Sequence, residues 1–182
     1  MIQVIIFCVV SVFLVYLSKN CLFAPRSHGF YRFFAFESIL ALVLINAREW
    51  FSNPFSIHQV ISWLLLIISI VLVVHGAYLL RVVGRPKKER EDRELIGIEK
   101  TTSLVKIGAY RYIRHPIYAS LFYGAYGAFS KNPSWPGIAL ALSATIFLVL
   151  TAKVEEKECI RFFGADYQAY MKQTKMFIPF LF

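Results

Sequence analysis

The chain reads as an all-α, polytopic membrane protein of about five transmembrane helices. Three observations predict this class. Hydrophobic residues make up 58% of the 182, above the roughly 45–50% usual in soluble domains, and they fall in long runs. The 20 Lys and Arg, against 11 Asp and Glu, collect between the runs rather than inside them. Strand-like alternation and internal repeats are lacking, which argues against a β-barrel.

Residues 2–17 form the first apolar stretch, with no Lys or Arg ahead of it. A secretory signal opens on positive charge, so this stretch is expected to be a retained helix. Lys19, Arg26 and Arg32 follow. The second stretch, 33–47, is short for a span; it recruits Phe30 and Tyr31 or crosses a thinned bilayer. The third, about 57–80, is the clearest, because at about 1.5 Å per residue it crosses a core of roughly 30 Å with ease. Residues 81–114 then carry ten Lys or Arg and five acidic residues. Two further apolar stretches, 116–129 and 136–150, flank Lys131-Asn132-Pro133-Ser134, a turn-rich link that predicts a helical hairpin. The expected organisation is a single membrane domain, 1–182. It comprises three N-terminal spans (1–80), a basic cytoplasmic loop (81–115), the hairpin (116–152) and an amphipathic cytoplasmic tail (153–182). With the N-terminus outside, five crossings put all three basic segments in the cytoplasm and leave Arg48 and Lys131 outside, as the positive-inside rule asks.

The formal charge of +9 is the mark of basic loops facing anionic lipid, not of nucleic-acid binding. Cys8, Cys21 and Cys159 are scattered and share no metal-ligand or disulfide spacing. No Gly-rich strand-to-helix turn of the dinucleotide-binding kind occurs.

Three features of the C-terminal half go beyond anchoring. The first is Leu104-Val105-Lys106-Ile107-Gly108-Ala109-Tyr110 leading to Arg114-His115-Pro116-Ile117-Tyr118. Pro116 suits the first turn of a helix, which puts His115 at the N-terminus, beside free N–H groups that favour an anionic ligand. The second is Glu155-Glu156 with Glu158, where the last span leaves the bilayer. Acids there are expensive, about 2.5–3.5 kcal/mol each at a helix centre and less near its end. Glu158 is expected to pair locally with Lys153, Lys157 or Arg161. The third is Phe162-Phe163-Gly164 followed by Tyr167 and Tyr170, where Gly164 ends the helix and the tyrosines suit a segment lying on the membrane face. Glu37 is expected to pair with Arg32, and His75 to make an interhelical hydrogen bond.

In joint order and spacing these motifs resemble the isoprenylcysteine carboxyl methyltransferases and the related phospholipid methyltransferases. The matching elements are Leu-Val-x-x-Gly-x-Tyr-x-x-x-Arg-His-Pro-x-Tyr, the later Glu-Glu, then Phe-Gly-x-x-Tyr-x-x-Tyr and a closing Pro. They cover about residues 102–179. The resemblance implies a cytoplasmic C-terminal cofactor region that binds S-adenosylmethionine through Thr102, Ser103, Leu104, Val105, Tyr110, His115, Pro116, Ile117, Tyr118 and Glu155, with no metal. It implies catalytic roles for Glu156 and His115, and a lipidic or prenylated carboxylate that enters from the bilayer as methyl acceptor. Two positions depart from the family pattern. Thr151 stands where prenylcysteine enzymes carry a substrate-binding Arg, which Lys153 would have to replace, and Ser120 stands where Gly is common.

Methyl transfer from a sulfonium is an in-line displacement that asks chiefly for alignment and exclusion of water. A carboxylate, whose ordinary pKa is about 3.5, is already ionised at neutral pH. An amine headgroup, as in phospholipid N-methylation, would need Glu156 or His115 as a base. The competing classes are an NADPH-dependent sterol-type membrane reductase, which also carries His-Pro-x-Tyr, and a non-enzymatic membrane scaffold.

Overall fold

A computed structural model describes residues 1–24, 27–85 and 101–182. Six α-helices carry it: α1 (Ile2–Leu22), α2 (His28–Ile45), α3 (Ile57–Val82), α4 (Pro116–Phe129), α5 (Trp135–Phe163) and α6 (Ala165–Gln173). Among the described residues there is no strand, only an isolated bridge between Ile113 and Lys175. Four helices, α1, α2, α3 and α5, are long and apolar enough to cross a membrane. The second apolar stretch does lengthen at its N-terminal side. Ser27 caps α2, accepting from Phe30 N at 3.2 Å, and the resulting 18 residues reach spanning length.

The fifth expected crossing is the short one. α4 has 14 residues, about 21 Å of helix. Pro116 begins it, as its fixed φ allows. α5 begins at Trp135, capped by Ser134, which accepts from Gly137 N at 3.2 Å. It runs for 29 residues to Phe163, so the glutamates expected just beyond a span ride on the same continuous helix. Gly164, at φ 59, ends it, as only a residue without Cβ does readily.

α2 packs on α5 and α3 on α4 over the two largest helix interfaces, while α1 lies along α2. Small residues permit the close approach: Ala125 and Ala128 of α4 and Ala141 and Ala144 of α5 are buried around Leu42. Buried and half-buried hydroxyls tie the helices together. Ser62 donates to Gly127 O and Ser69 to Ser120 O, each at 2.7 Å, and Ser38 and Ser143 lie 3.0 Å apart.

Three polar residues outside the C-terminal motifs differ from expectation. Lys131 is not a solvated loop lysine: it is 1% exposed, its Nζ donates to Gln59 Oε1 at 2.9 Å, and it lies 3.6 Å from the Trp63 ring centre. An aromatic face and an amide carbonyl stand in for its hydration. Glu37 pairs not with Arg32 but with α1, accepting from Ser11 Oγ at 2.7 Å. His75 is exposed on α3 beside Gly108.

Part of the expected basic loop, residues 86–100, lies outside the described residues. The chain beyond it returns at once to α3: Thr102 N and Ser103 N donate to Gly84 O at 3.0 and 3.2 Å. The 3₁₀ turn Gly108–Arg111 then leads into α4. After α6, residues 174–176 come back alongside 112–115, with Arg114 N donating to Lys175 O at 2.8 Å and Lys175 N to Tyr112 O at 3.0 Å.

Candidate active site

The start of α4 and the last turns of α5 meet face to face. His115 sits between two carboxylates of α5: Nδ1 lies 3.7 Å from Glu155 Oε2 and Nε2 lies 3.3 Å from Glu156 Oε1. The imidazole is 6% exposed and stacks on Tyr118 at 5.5 Å with 19° between the planes. Arg114 donates from Nε to Glu156 Oε1 at 2.6 Å and from its guanidinium to the carbonyls of Met171 and Thr174. One arginine thus links the approach to α4, the end of α5 and the chain beyond α6. Its carboxylate partner is itself buried, at 7% exposure, so the charges compensate each other where water cannot.

Two adjoining lobes open beside this knot, with void space of about 340 and 400 Å³, part of it open to solvent. The cavity volume proper is about 60 Å³ in each lobe. Leu80, Tyr110, Arg114, His115 and Glu155 line both lobes. Ile117 and Tyr118 complete the first; Leu104, Val105, Phe163 and Tyr167 are among those completing the second. The aromatic wall is neutral. Burial pushes the Tyr167 phenol well above its ordinary range, with Cys159 and the two glutamates adding to the shift. Burial also raises Tyr170, against the opposing pull of Arg114. Tyr170 accordingly acts as a donor, to Tyr110 O at 2.6 Å.

Glu155 Oε2 is buried and has no hydrogen-bond partner among the described residues. The His115 imidazole Nδ1 lies 3.7 Å from it. An acceptor oxygen left over in a pocket lined by phenyl and phenol rings marks a place for a positively charged or hydrogen-donating group. Among the described residues no cluster of His, Cys, Asp or Glu could hold a metal ion.

Of the residues singled out in the sequence, Leu104, Val105, Tyr110, His115, Ile117, Tyr118 and Glu155 converge on this cavity. Thr102, Ser103, Pro116 and Glu156 do not line it. Thr102 and Ser103 are turned to the end of α3, with Thr102 Oγ1 donating to Arg85 O at 2.9 Å. Pro116 packs toward Gly76. Glu156 stands behind His115, engaged with Arg114. Sequence reasoning missed Leu80, Thr101, Arg114, Cys159, Phe163, Tyr167 and Tyr170 as lining residues. The Phe-Gly-x-x-Tyr-x-x-Tyr spacing was visible, but its tyrosines are 3% and 4% exposed and form a wall of the cavity rather than lying on the membrane face. Glu158 pairs not with a neighbouring Lys or Arg but with His28 at the start of α2, Nδ1 to Oε2 2.9 Å. Thr151 is fully buried and donates to Phe147 O of its own helix at 2.7 Å, and Lys153 is exposed.

Residues 57–166, more than half of the chain, match the family described as phospholipid methyltransferase. A methanethiol S-methyltransferase of Crocosphaera subtropica is 28% identical over 124 residues, 66% of this chain and 44% of that protein. The protein-S-isoprenylcysteine O-methyltransferase of Saccharomyces cerevisiae is 30% identical over 126 residues, 63% and 49% of the two chains. Its Homo sapiens counterpart is 35% identical over 83 residues, 44% and 29%. The matched regions span less than half the length of each of these relatives. No solved structure matches the chain.

Proposed function

Because this chain belongs to the phospholipid methyltransferase family, we propose that it transfers a methyl group from S-adenosylmethionine to a lipidic acceptor at the membrane interface. The observation that carries the proposal is the buried Glu155 Oε2, without a hydrogen-bond partner among the described residues, in a cavity that also presents Arg114 and His115. A donor with a sulfonium, an ammonium and a carboxylate asks for an anion, a cation and aromatic faces close together, and the lining residues supply all three. When bound, the donor supplies an electrophilic methyl group. Glu155 and the rings of Tyr110 and Tyr118 favour positive charge, while Arg114 and His115 favour the carboxylate. Tyr167 and Tyr170 close the second lobe and exclude water. Glu156 positions both Arg114 and His115 rather than touching the reacting atoms.

For the acceptor, an isoprenylcysteine-type carboxylate is the first candidate, since relatives carry that name. It would be ionised at neutral pH and need no base. Thr151, buried and bonded to its own helix, offers no cation for it, which favours a second candidate: an amine or thiol acceptor, for which His115 stands at the cavity wall to take the proton. Relatives named for methanethiol methylation fit that second class. By the positive-inside rule the site faces the cytoplasm, with the N-terminus outside.

Thermal unfolding of the purified protein tests the donor. S-adenosylmethionine should raise the melting temperature and NADPH should not, and Glu155→Ala and His115→Ala should each weaken donor binding at least about tenfold, a loss of roughly 1.4 kcal/mol. No protection of the wild type, or full affinity in both variants, defeats the proposal. Labelled-methyl transfer into a farnesylated cysteine acid or into an amine phospholipid then separates the acceptors.

A further inference from the structure

The outward face of α3 carries a groove of about 420 Å³ lined by Ile70, Val71, Val74, His75 and Tyr78. None of the five borders either lobe of the cavity. The four around the histidine are each more than half exposed. His75 is exposed as well, and it has no hydrogen-bond or ion-pair partner among the described residues. Over residues 59–80 it is the only His, Lys, Arg, Asp or Glu. An ionisable side chain on a lipid-facing surface is costly unless something there receives it.

The order of side chains along the groove matches the order of groups in a phospholipid. Ile70, Val71 and Val74 lie toward mid-span. His75 follows, and Tyr78 stands three residues further on the same face, about 4.5 Å along the axis. Arg81 then marks the end of the apolar run. Beside this end the returning chain adds charge. It leans on α3 from Gly84, whose carbonyl accepts from Thr102 N and Ser103 N, back to His75, which leaves no room for a Cβ on Gly108. Lys106 lies between these two points and is exposed. Neither residues 57–85 nor residues 101–118 include an Asp or Glu. The head of the groove is thus cationic and rich in donors, and its floor is aliphatic.

We propose that this groove binds one anionic phospholipid of the membrane. An acyl chain lies along Ile70, Val71 and Val74, the His75 imidazole donates to an ester carbonyl, and the Tyr78 hydroxyl and Lys106 ammonium receive the phosphate. Positive charge unopposed by an acid in these two stretches selects a net negative headgroup over a zwitterionic one. Because His75 also abuts Gly108, the bound lipid buttresses the turn that carries Tyr110. The lipid site is separate from the donor cavity and does not depend on the methyl-transfer chemistry.

Native mass spectrometry of the full chain in detergent micelles, titrated with phosphatidylglycerol or phosphatidylcholine, tests it. One phosphatidylglycerol should bind, at least about tenfold more tightly than phosphatidylcholine. The double variant His75→Leu, Tyr78→Phe removes both donors and keeps the face apolar; it should weaken that binding about tenfold. Val74→Trp, which fills the groove, should weaken it too. Leu64→Trp, exposed on α3 outside the groove, should leave it unchanged. Glycerol phosphate, a head without chains, should not compete. Equal affinity for the two lipids, full affinity in both groove variants, an equal loss in Leu64→Trp, or displacement by glycerol phosphate overturns the proposal.

Discussion

Arg114 reaches Glu156 with Nε 2.6 Å from the carboxylate oxygen, riveting the approach to α4 onto the last turns of α5. Both side chains are about one-tenth exposed, so each compensates a charge the other would leave buried. Glu156→Ala strands the guanidinium and should destabilise the protein by about 3–5 kcal/mol, read as a fall in melting temperature without ligand. Glu156→Gln keeps an acceptor for Arg114 and should lose less. Equal stability of Glu156→Ala and wild type would show that the pair contributes nothing.

Gly108 holds φ 58 at the head of the turn that carries Tyr110, and a Cβ there would meet His75 and lie 2.8 Å from Leu79 Cδ1. Gly108→Ala should therefore cost about 1–2 kcal/mol from backbone alone, with further loss from the clash and a weakened hold on the donor. His75→Ala, made on that background, should recover part of the loss by removing one of the two obstacles. Thermal melts of the single and double variants measure both effects.

The Tyr170 hydroxyl is the tie between α6 and Tyr110. Tyr170→Phe removes one donor and should cost about 0.5–1.5 kcal/mol of stability, with donor affinity falling at the same time. A full-strength affinity with normal stability would mean that the turn at Tyr110 is held by its remaining contacts.

At the opposite end of the molecule, Lys131→Met keeps the length of the side chain but abandons Trp63 and leaves Gln59 Oε1 without its donor. The melting temperature should drop by the equivalent of about 2 kcal/mol. Donor affinity, measured by calorimetry, should not change, because Lys131 and Glu155 lie at opposite ends of the bundle.

Much of this was legible from residue order. Apolar runs marked the helices, Pro116 and Gly164 marked where two of them begin and end, and the convergence of His115 with Glu155 followed from one hairpin. Partner choice was not legible. Glu158 had three basic residues within five positions, yet packing of α2 on α5 delivers His28, 130 positions away, before any of them. Lys131 looked like a loop charge because local composition cannot reveal that Trp63 and Gln59 arrive from α3. The depth of α4 was equally hidden, since its length is meaningful only against the register that Gly76 and Pro116 set between two helices.

Near Glu155, α5 presents three acids in succession to two different helix beginnings: Glu155 and Glu156 to His115, and Glu158 to His28. A rod clamped this way is the stationary jaw of the cleft. Admission and release of small molecules then fall to the opposite jaw, where the stretch from Thr101 to Tyr110 leans on the end of α3 through the Gly84 and Arg85 carbonyls and the packing of Val105 and Tyr110 on Leu79 and Leu80.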